Sequence, residues 1–278
     1  MMKRVASIQD ISCLGRCSLT VALPVISAMG VECAIVPTAV LSTHTIFKNY
    51  TCVDLTDKIL PIAAHWKSEG IHFDAIYTGY LASKEQITDV LTFFDEMQAE
   101  DTLLFVDPAM ADHGKLYPAF GPDFPAEMAK VVARADVTVP NMTEACLLTG
   151  SEYREDYDET YVKELLRKLV ALGAKKAILT GVSFEDGKLG VMGYDGSDFF
   201  SYFNDKAPMS YHGTGDIFSA TVVGSLMRGL SLAQALELAV DYTLQCIRVT
   251  RSDPNATWYG VEFERAIPML CERLKEKE

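Results

Sequence analysis

Short apolar runs alternate with longer amphipathic stretches along most of the chain. Each apolar run is bounded by polar or turn residues, and the segments between the runs carry apolar residues at helical spacing. This alternation predicts an α/β fold in which a central, mostly parallel sheet has helices on both faces. The predicted strands cover residues 5–9, 34–40, 75–78, 103–106, 137–139 and 177–180, and the clearest helices cover 55–66, 84–98 and 159–172.

Two turn signals follow the last of these strands. The pairs Asp186-Gly187 and Asp195-Gly196 predict an antiparallel meander of residues 176–180, 189–194 and 199–203 at one edge of the sheet. Because no linker, repeat or low-complexity tract divides the chain, we expect one domain over residues 1–278.

Two nucleotide-binding motifs are absent from the places where they would be expected. Five residues separate the two glycines before Lys188, where a P-loop has four, and Leu189 stands where a P-loop has Ser or Thr. After the first predicted strand, residues 10–15 contain a single glycine, which argues against a dinucleotide fold and a nicotinamide cofactor.

Composition narrows the class of protein. The 278 residues are 49% hydrophobic and 23% charged, with a formal net charge of -13, which argues against a nucleic-acid partner. A nucleotide would need backbone amides or a cation such as Mg²⁺ to bind here. No apolar run approaches the roughly 20 residues of a membrane span, and the N-terminus lacks a signal-peptide core, so we expect a cytoplasmic protein without a membrane partner.

Cysteine and histidine spacing gives no sign of a transition-metal site. The seven cysteines contain no C-x-x-C pair and the five histidines no H-E-x-x-H.

The most specific motif is His212-Gly213-Thr214-Gly215-Asp216, which is followed at once by an apolar stretch over 217–226. Its two glycines let several backbone N–H groups face one point, and the helix that starts there adds its positive end, so the motif predicts a phosphate site. Asp216 would repel a bound anion, but it fits a general base beside a transferring phosphoryl group. The alternative is structural: the glycines shape a loop and Asp216 caps a helix.

Polar residues and glycines also recur where the predicted strands end. Ligands of parallel sheets bind beyond the carboxyl ends of the strands, although Asp, Asn and Gly end strands in many proteins. The residues in question are Asp10, Gly79-Tyr80, Asp107-Pro108, Pro140-Asn141 and Gly181.

From about residue 5 to residue 250 the chain resembles the pyridoxal kinases of the ribokinase superfamily. The resemblance implies a ribokinase-like fold with no separate lid domain. It also implies transfer of the γ-phosphoryl group of ATP to the primary hydroxyl of pyridoxal, pyridoxamine or pyridoxine, with Mg²⁺ and in a homodimer. Whether a monovalent cation such as K⁺ takes part is left open. The matching segments are Ile8-Gln9-Asp10, Ser42-Thr43-His44-Thr45, Thr78-Gly79-Tyr80-Leu81, Val106-Asp107-Pro108-Ala109-Met110, Pro140-Asn141-Met142-Thr143-Glu144 and Gly213-Thr214-Gly215-Asp216.

The resemblance also implies roles for individual residues near the transferred group. Asp216 would take the proton from the substrate hydroxyl, and the backbone of Gly213, Thr214, Gly215 and Asp216 would receive the charge of the migrating phosphoryl group. Asn141 and Glu144 match the N-x-x-E motif, whose carboxylate in the family helps to hold hydrated Mg²⁺. Asp107 matches the family's acidic residue near the phosphates and the cation. The structural alternative for Glu144 is capping of a helix N-terminus.

Further residues match the two ligand pockets. His44, Thr45 and Tyr80 match positions that line the pyridine pocket. Thr180, Gly181 and Thr214 are expected beside the nucleotide.

The chain departs from the resemblance at Asp10, where many pyridoxal kinases carry Ser after Ile-Gln. That hydroxyl meets the ring nitrogen, so a carboxylate here is expected to favour a protonated pyridinium through a charge-assisted hydrogen bond.

Three other functions stay open. Hydroxymethylpyrimidine kinases share the sequence around Gly213, but several of them have Cys in place of Asp216 and carry a Gly/Ser-rich N-terminal segment. Sugar kinases of the superfamily usually add lid strands, for which the region between Val36 and Tyr80 shows no insertion. A protein that only binds a nucleotide or pyridoxal would not need a base. Residues 248–259 either fold over the nucleotide or link the last two helices.

Overall fold

The computed structural model describes residues 2–209 and 211–277 and is organised around a nine-stranded sheet. The strand order is β11-β10-β9-β8-β5-β4-β1-β2-β3. These strands are β1 (Arg4–Leu14), β2 (Glu32–Thr43), β3 (Cys52–Asp54), β4 (Ala75–Thr78), β5 (Leu103–Val106), β8 (Val137–Thr138), β9 (Lys176–Val182), β10 (Lys188–Tyr194) and β11 (Phe199–Asp205). A separate two-stranded hairpin consists of β6 (Ala111–Asp112) and β7 (Lys115–Leu116).

The pairing confirms the predicted fold class. Strands β2, β1, β4, β5, β8 and β9 pair in parallel, and β9, β10 and β11 form the antiparallel meander. Helices connect the parallel strands and cover the sheet. They are α1 (Leu19–Ala28), α2 (Thr56–Ser68), α3 (Lys84–Met97), α4 (Phe124–Val132), α5 (Met142–Thr149), α6 (Glu159–Ala171), α7 (Thr214–Met227), α8 (Leu232–Ser252) and α9 (Ile267–Lys277), with a 3₁₀ turn at Phe263–Ala266.

One edge of the sheet differs from the sequence prediction. Strands β1 and β2 run well past their predicted ends and stay paired as far as Leu14 and Thr43, beyond a register shift between Gln9 and Ile11. The short strand β3, which was not predicted, pairs antiparallel with β2. All three β3 residues are exposed, so its pairing with β2, rather than an apolar pattern, makes it a strand. Within the described residues, β3 is the last strand at this edge of the sheet.

Side chains alternate between two cores on either side of the sheet. Ala6, Ile8 and Ile76 point to the face covered by α2 to α6, whereas Val5 and Tyr77 point to the face covered by α1, α7, α8 and α9. Because both faces are buried, the parallel strands are apolar along their length.

Helix α7 is buried on nearly all sides because it lies between the sheet and its neighbouring helices. A Cβ on Gly224 would lie 2.5 Å from the sulfur of Met29, the C-cap residue of α1, so this glycine allows α7 to pack closely against the end of α1. The packing holds the N-terminus of α7 at the carboxyl edge of the sheet. Over residues 2–209 and 211–277, no helix has the length and apolar character needed to cross a membrane.

Candidate active site

The candidate residues follow one another along the carboxyl edge of the sheet. Strand order places Thr180 on β9, followed by Asn141 after β8, Asp107 after β5, Tyr80 after β4, Asp10 on β1 and His44 after β2. The predicted phosphate residues therefore occupy one half of the edge and the predicted substrate residues the other half.

Helix α7 begins with an open N-terminus. Gly213 is its N-cap residue, with a φ of 81°, and a Cβ there would lie 1.9 Å from the carbonyl oxygen of Arg16. Only glycine fits both the left-handed backbone and this close approach. Because glycine offers no side-chain cap, the N–H groups of Thr214, Gly215 and Asp216 donate to no described residue.

The space in front of these N–H groups is free. A Cβ on Gly215 would meet no heavy atom within 4 Å, and Gly215 itself is exposed. Thr214 directs its hydroxyl back to the carbonyl oxygen of Tyr211 at 3.1 Å, which leaves the helix end accessible. Unpaired N–H groups at the positive end of a 14-residue helix are suited to bind an anion, and the phosphate site stays a prediction.

Asp216 lies at this helix end with an unusually high proton affinity. Burial, together with the negative charges of Asp107 and Asp10, raises the pKa of this half-buried carboxyl to about 7, although the Ser18 backbone N–H opposes the shift. A carboxylate with a pKa near neutrality both accepts and releases a proton under ordinary conditions.

Asp107 is the second half-buried carboxylate of the site. Its Oδ2 accepts a hydrogen bond of 2.7 Å from the hydroxyl of Ser219 on α7, and burial raises its pKa to about 6. Its charge also raises the pKa of Glu144 and of Asp216, so it lies near both.

The carboxylates of the site suit a cation that is held partly by the protein and partly by a bound substrate. Across the part of the chain that the structure describes, Asp10, Asp107, Glu144 and Asp216 form no ion pair with Lys or Arg. That described part of the chain also contains no group of three or more His, Cys, Asp or Glu side chains that could hold a metal ion by themselves. Mg²⁺ is typically bound by one or two carboxylates together with phosphate oxygens, and Asp107 matches that mode.

Glu144 has a different environment, because both of its carboxylate oxygens accept backbone N–H groups. Oε1 accepts from Met110 at 3.0 Å and Ala111 at 3.4 Å, and Oε2 accepts from Asn141 at 2.9 Å. Asn141 in turn caps the helix, because its Oδ1 accepts the Glu144 N–H at 3.0 Å. Its side-chain NH₂ group donates to the Ala111 carbonyl at 2.8 Å. This capping box ties the turn after Asp107 to the start of α5.

Burial and the charge of Asp107 raise the pKa of Glu144 well above its usual range, because Glu144 is only 3% exposed. The capping interpretation therefore matches the geometry of Glu144, and its contact with Mg²⁺ stays a prediction.

Thr180 and Gly181 lie beside this capping box. The Thr180 N–H donates to the Pro140 carbonyl at 3.0 Å, and Thr180 bridges Asn141 in parallel. Gly181 is exposed, with a φ of 72°, at the register shift between β9 and β10. Both residues therefore lie on the half of the edge expected to hold the nucleotide.

Asp10 and His44 form the other half. Asp10 is 7% exposed, and its Oδ1 accepts a hydrogen bond of 2.7 Å from Ser18. His44 is buried, and its Nδ1 accepts the Ile46 N–H at 3.3 Å, so its Nε2 carries the proton and donates to the Tyr259 carbonyl at 3.0 Å. Burial lowers the pKa of His44, which keeps the ring neutral.

Tyr80 and Thr45 complete the predicted substrate residues and differ from each other. Tyr80 is half-buried against the ring of Phe120 at 5.4 Å, and burial together with the charge of Asp10 raises its pKa to about 12. Thr45 is exposed, and its side chain forms no hydrogen bond with the described residues. The structure thus places Tyr80 within the electrostatic reach of Asp10, whereas the described residues show no such link for Thr45.

The segment after α8 contacts the substrate half of the edge. Residues 248–252 are the last turn of α8, and the residues after them link it to the following 3₁₀ turn. Trp258 packs on Phe47 with ring centroids 4.5 Å apart, and Thr257 accepts a 2.7 Å hydrogen bond from Arg16. The segment is therefore a link that also covers the His44 loop. The aromatic pair at 258–259 within a polar stretch was the sequence signal for this contact.

The sequence analysis also missed Ser18. Its hydroxyl donates to Asp10 Oδ1 at 2.7 Å, and its backbone N–H opposes the rise in the pKa of Asp216, so Ser18 lies close to two predicted site residues. A lone serine before an apolar helix carries no distinctive sequence signal, since serine is a common residue at helix starts.

Comparisons with known proteins place this site in a family. Residues 21–260 match the family model described as phosphomethylpyrimidine kinase, and the chain belongs to this family. The pyridoxine/pyridoxal/pyridoxamine kinase of Bordetella avium is 29% identical over 272 residues, which are 91% of this chain and 87% of that relative.

Solved structures share the whole fold. A Bacteroides thetaiotaomicron protein assigned as a phosphomethylpyrimidine kinase, crystallised with pyridoxal, is 38% identical, with a TM-score of 0.92 over 97% of this chain and 96% of that one. Pyridoxal kinase from Lactobacillus plantarum is 30% identical, with a TM-score of 0.89 over 99% of each chain. The ribokinase-like fold and the resemblance to pyridoxal kinases are thereby confirmed.

Proposed function

We propose that the protein transfers the γ-phosphoryl group of ATP to the primary hydroxyl of pyridoxal, pyridoxamine or pyridoxine. The observation that carries the proposal is Asp216, a half-buried carboxyl with a pKa raised to about 7 beside the unpaired N–H groups at the start of α7. Support for the substrate class comes from the Bordetella relative and from the Bacteroides structure with pyridoxal.

The chemistry divides between the side chain and the backbone of one motif. Asp216 accepts the proton of the substrate hydroxyl as its oxygen attacks phosphorus, which contributes about 10²- to 10⁴-fold in rate. The N–H groups of the Gly213 to Asp216 turn receive the negative charge that develops on the phosphoryl oxygens, at roughly 3 kcal/mol for each well-aimed donor.

Mg²⁺ would be held by Asp107 together with the phosphates, and it would neutralise phosphate charge when bound. Glu144 supports this Mg²⁺ site indirectly, because its hydrogen bonds to backbone N–H groups fix the turn after Asp107. Asn141, Thr180, Gly181 and Thr214 flank the same half of the edge and are assigned to the nucleotide.

The aromatic ring of the substrate would lie in the other half, between Tyr80 and the neutral His44. Asp10 lies between them on β1, and Thr45 is assigned to the rim of this pocket. The remaining expectations, a single domain over 1–278, a homodimer in the cytoplasm and the use of K⁺, are part of this proposal.

A hydroxymethylpyrimidine kinase of thiamine synthesis is the second candidate, favoured by the description of the matching family. Both substrates carry a hydroxymethyl arm on a six-membered aromatic ring. The carboxylate at Asp216 favours pyridoxal, because several of the pyrimidine kinases have cysteine there. A protein that only binds its ligands would have no use for a base with this pKa.

A coupled assay of ADP formation tests the proposal. The wild-type protein with ATP and Mg²⁺ is given pyridoxal, pyridoxamine, pyridoxine or hydroxymethylpyrimidine, with Asp216→Asn as the blank. Turnover of at least one pyridine substrate above the pyrimidine supports the proposal. Turnover of the pyrimidine alone favours the second candidate, and no turnover of any substrate contradicts both.

A further inference from the structure

Three buried hydroxyl residues lie in the interior of α7, and each uses its hydroxyl in a different way. Thr221 donates to the carbonyl oxygen of Ile217 at 2.7 Å, which is a common hydrogen bond of Ser or Thr inside a helix. Ser225 is fully buried, and its Oγ has no hydrogen-bond partner among the described residues. Ser219 instead donates outside its own helix, to Asp107 Oδ2 at 2.7 Å. The contact with Asp107 therefore sets Ser219 apart from the other two.

The main chain of Asp107 is held by its neighbours. Its N–H donates to the Thr78 carbonyl at 2.9 Å, which continues the pairing of β5 with β4 by one residue. Pro108 follows directly and restricts Asp107 to an extended conformation. Because side chains alternate along a strand and Phe105 packs in the core on the α7 face, Asp107 points to that face as well. The remaining freedom of Asp107 is rotation of its side chain, which the hydrogen bond from Ser219 limits.

Ser219 lies on the same part of α7 as the proposed base. It follows Asp216 by three residues, and residues at that spacing are neighbours on one face of a helix. The negative charge of Asp107 raises the pKa of Asp216, so the two carboxylates lie near each other. The hydrogen bond from Ser219 therefore ties the carboxylate assigned to Mg²⁺ to the helix that carries the base.

The hydrogen bond from Ser219 occupies only one oxygen of Asp107. Within the described residues, Oδ1 accepts no hydrogen bond and neither oxygen pairs with Lys or Arg. Tyr77 on β4 lies nearby, since burial and then the charges of Asp107 and Asp216 raise its pKa, but its hydroxyl has no hydrogen-bond partner among the described residues. Over that part of the chain, Ser219 is thus the one side chain that donates to Asp107.

We propose that Ser219 is the positioning residue for Asp107: its hydroxyl holds Oδ2 against α7 and leaves Oδ1 available to the Mg²⁺ ion of the bound nucleotide. The inference rests on the proposed function and deepens it by naming the residue that orients the metal carboxylate. A hydrogen bond to a ligating carboxylate fixes its direction, and loss of such a partner typically lowers metal affinity by about 10- to 100-fold.

Calorimetric titration with ADP tests the proposal without turnover. Each protein is titrated once with excess Mg²⁺ and once with EDTA, and the quotient of the two affinities is the Mg²⁺ ratio. The wild-type protein is expected to have a ratio of about ten or more, because Mg²⁺ links the phosphates to Asp107. Ser219→Ala removes only the hydroxyl, so its ratio should fall about three- to tenfold while its affinity in EDTA is unchanged.

Ser225→Ala is the matched control. It removes a hydroxyl from the same helix at an equally buried position where that hydroxyl has no described partner, so the wild-type Mg²⁺ ratio should be kept. A wild-type ratio in Ser219→Ala would overturn the proposal. Equal losses of affinity with Mg²⁺ and with EDTA would overturn it as well, since they would indicate a general change of the nucleotide site.

Two further variants test whether Ser219 works through Asp107. Ser219→Cys keeps a similar shape with a weaker donor, so its Mg²⁺ ratio should lie between those of the wild type and Ser219→Ala. Asp107→Asn should lower the ratio, and Ser219→Ala added to it should cause little further loss, because the effects of two residues in contact are not additive. An undiminished ratio in Ser219→Cys, or fully additive losses in the double variant, would contradict the pair.

The same titrations separate this inference from the proposed function. A wild-type protein that binds ADP in neither condition would contradict the kinase function and the inference together. A wild-type Mg²⁺ ratio that Ser219→Ala leaves intact would contradict the role of Ser219 alone.

Discussion

Helices α5 and α7 both begin at the carboxyl edge of the sheet, and each carries a carboxylate at the third position of its first turn. In α5 the N-cap residue is Asn141, and a reciprocal capping box binds Glu144 to its own helix end. In α7 the N-cap residue is Gly213, no side chain caps the helix, and Asp216 has a raised pKa.

The difference shows how one residue decides the use of a helix end. An Asn N-cap satisfies the helix from within, which closes it and fixes the neighbouring loop. A Gly N-cap leaves the N–H groups for a ligand and leaves the carboxylate free to exchange a proton. The closed end of α5 is thus a structural support, and the open end of α7 is where the proposed function places the phosphoryl transfer.

Asp216→Asn is the strongest test of the open end. The change keeps the shape but removes the base, so kcat should fall by about 10²- to 10⁴-fold with little change in ATP affinity. Steady-state kinetics checks the fall, and Asp158→Asn at the N-cap of α6 is the control that should keep normal turnover. Near-normal kcat in Asp216→Asn would remove Asp216 from the base role.

The two glycines of the motif should respond in opposite ways. Gly213→Ala places a Cβ against the Arg16 carbonyl at a positive φ, so the free energy of unfolding should fall by about 3 kcal/mol. Gly215→Ala meets open space inside a helix and should gain up to about 1 kcal/mol, while the added methyl group weakens ATP binding. Urea unfolding measures the stability of both variants, and steady-state kinetics measures their KM for ATP. Equal losses of stability in the two variants would contradict the geometry.

Glu144→Gln tests the closed end. The amide cannot accept all three backbone N–H groups, so the free energy of unfolding should fall by about 1–2 kcal/mol. The displaced turn after Asp107 should also raise the Mg²⁺ concentration needed for half-maximal activity. An unchanged free energy of unfolding together with an unchanged Mg²⁺ titration would show that the capping box stabilises neither the fold nor the turn after Asp107.

The pH dependence tests the open end with the mildest perturbation, because no residue is changed. A base with a pKa of about 7 must be ionised to act, so kcat/KM should fall about tenfold for each pH unit below that value. The raised pKa has the opposite consequence for folding: the folded state holds a proton between pH 3.8 and about 7, so Asp216 makes the protein less stable as pH rises through that window. Mg²⁺ should move the kinetic inflection to lower pH, and a flat profile from pH 5 to 8 would exclude this assignment.

Much of the fold was predictable because it depends on local pattern. Buried parallel strands are continuous apolar runs, and the two Asp-Gly turns placed the meander beside them. The extension of β1 and β2 and the existence of β3 were not predictable, because those residues become strands through pairing with each other.

By itself the sequence determined the α/β class, the glycine turn before α7 and the polar residues at the strand ends, since each depends on neighbours within a few positions. Only the tertiary structure decided which of those residues meet. Asp107 accepts a hydrogen bond from Ser219 across 112 positions, His44 donates to the carbonyl of Tyr259 across 215, and Ser18, which donates to Asp10, lies close enough to Asp216 to lower its pKa. The proton affinity of Asp216 belongs to the same class of property, because it arises from burial and from the charges of distant carboxylates that only the folded chain brings together.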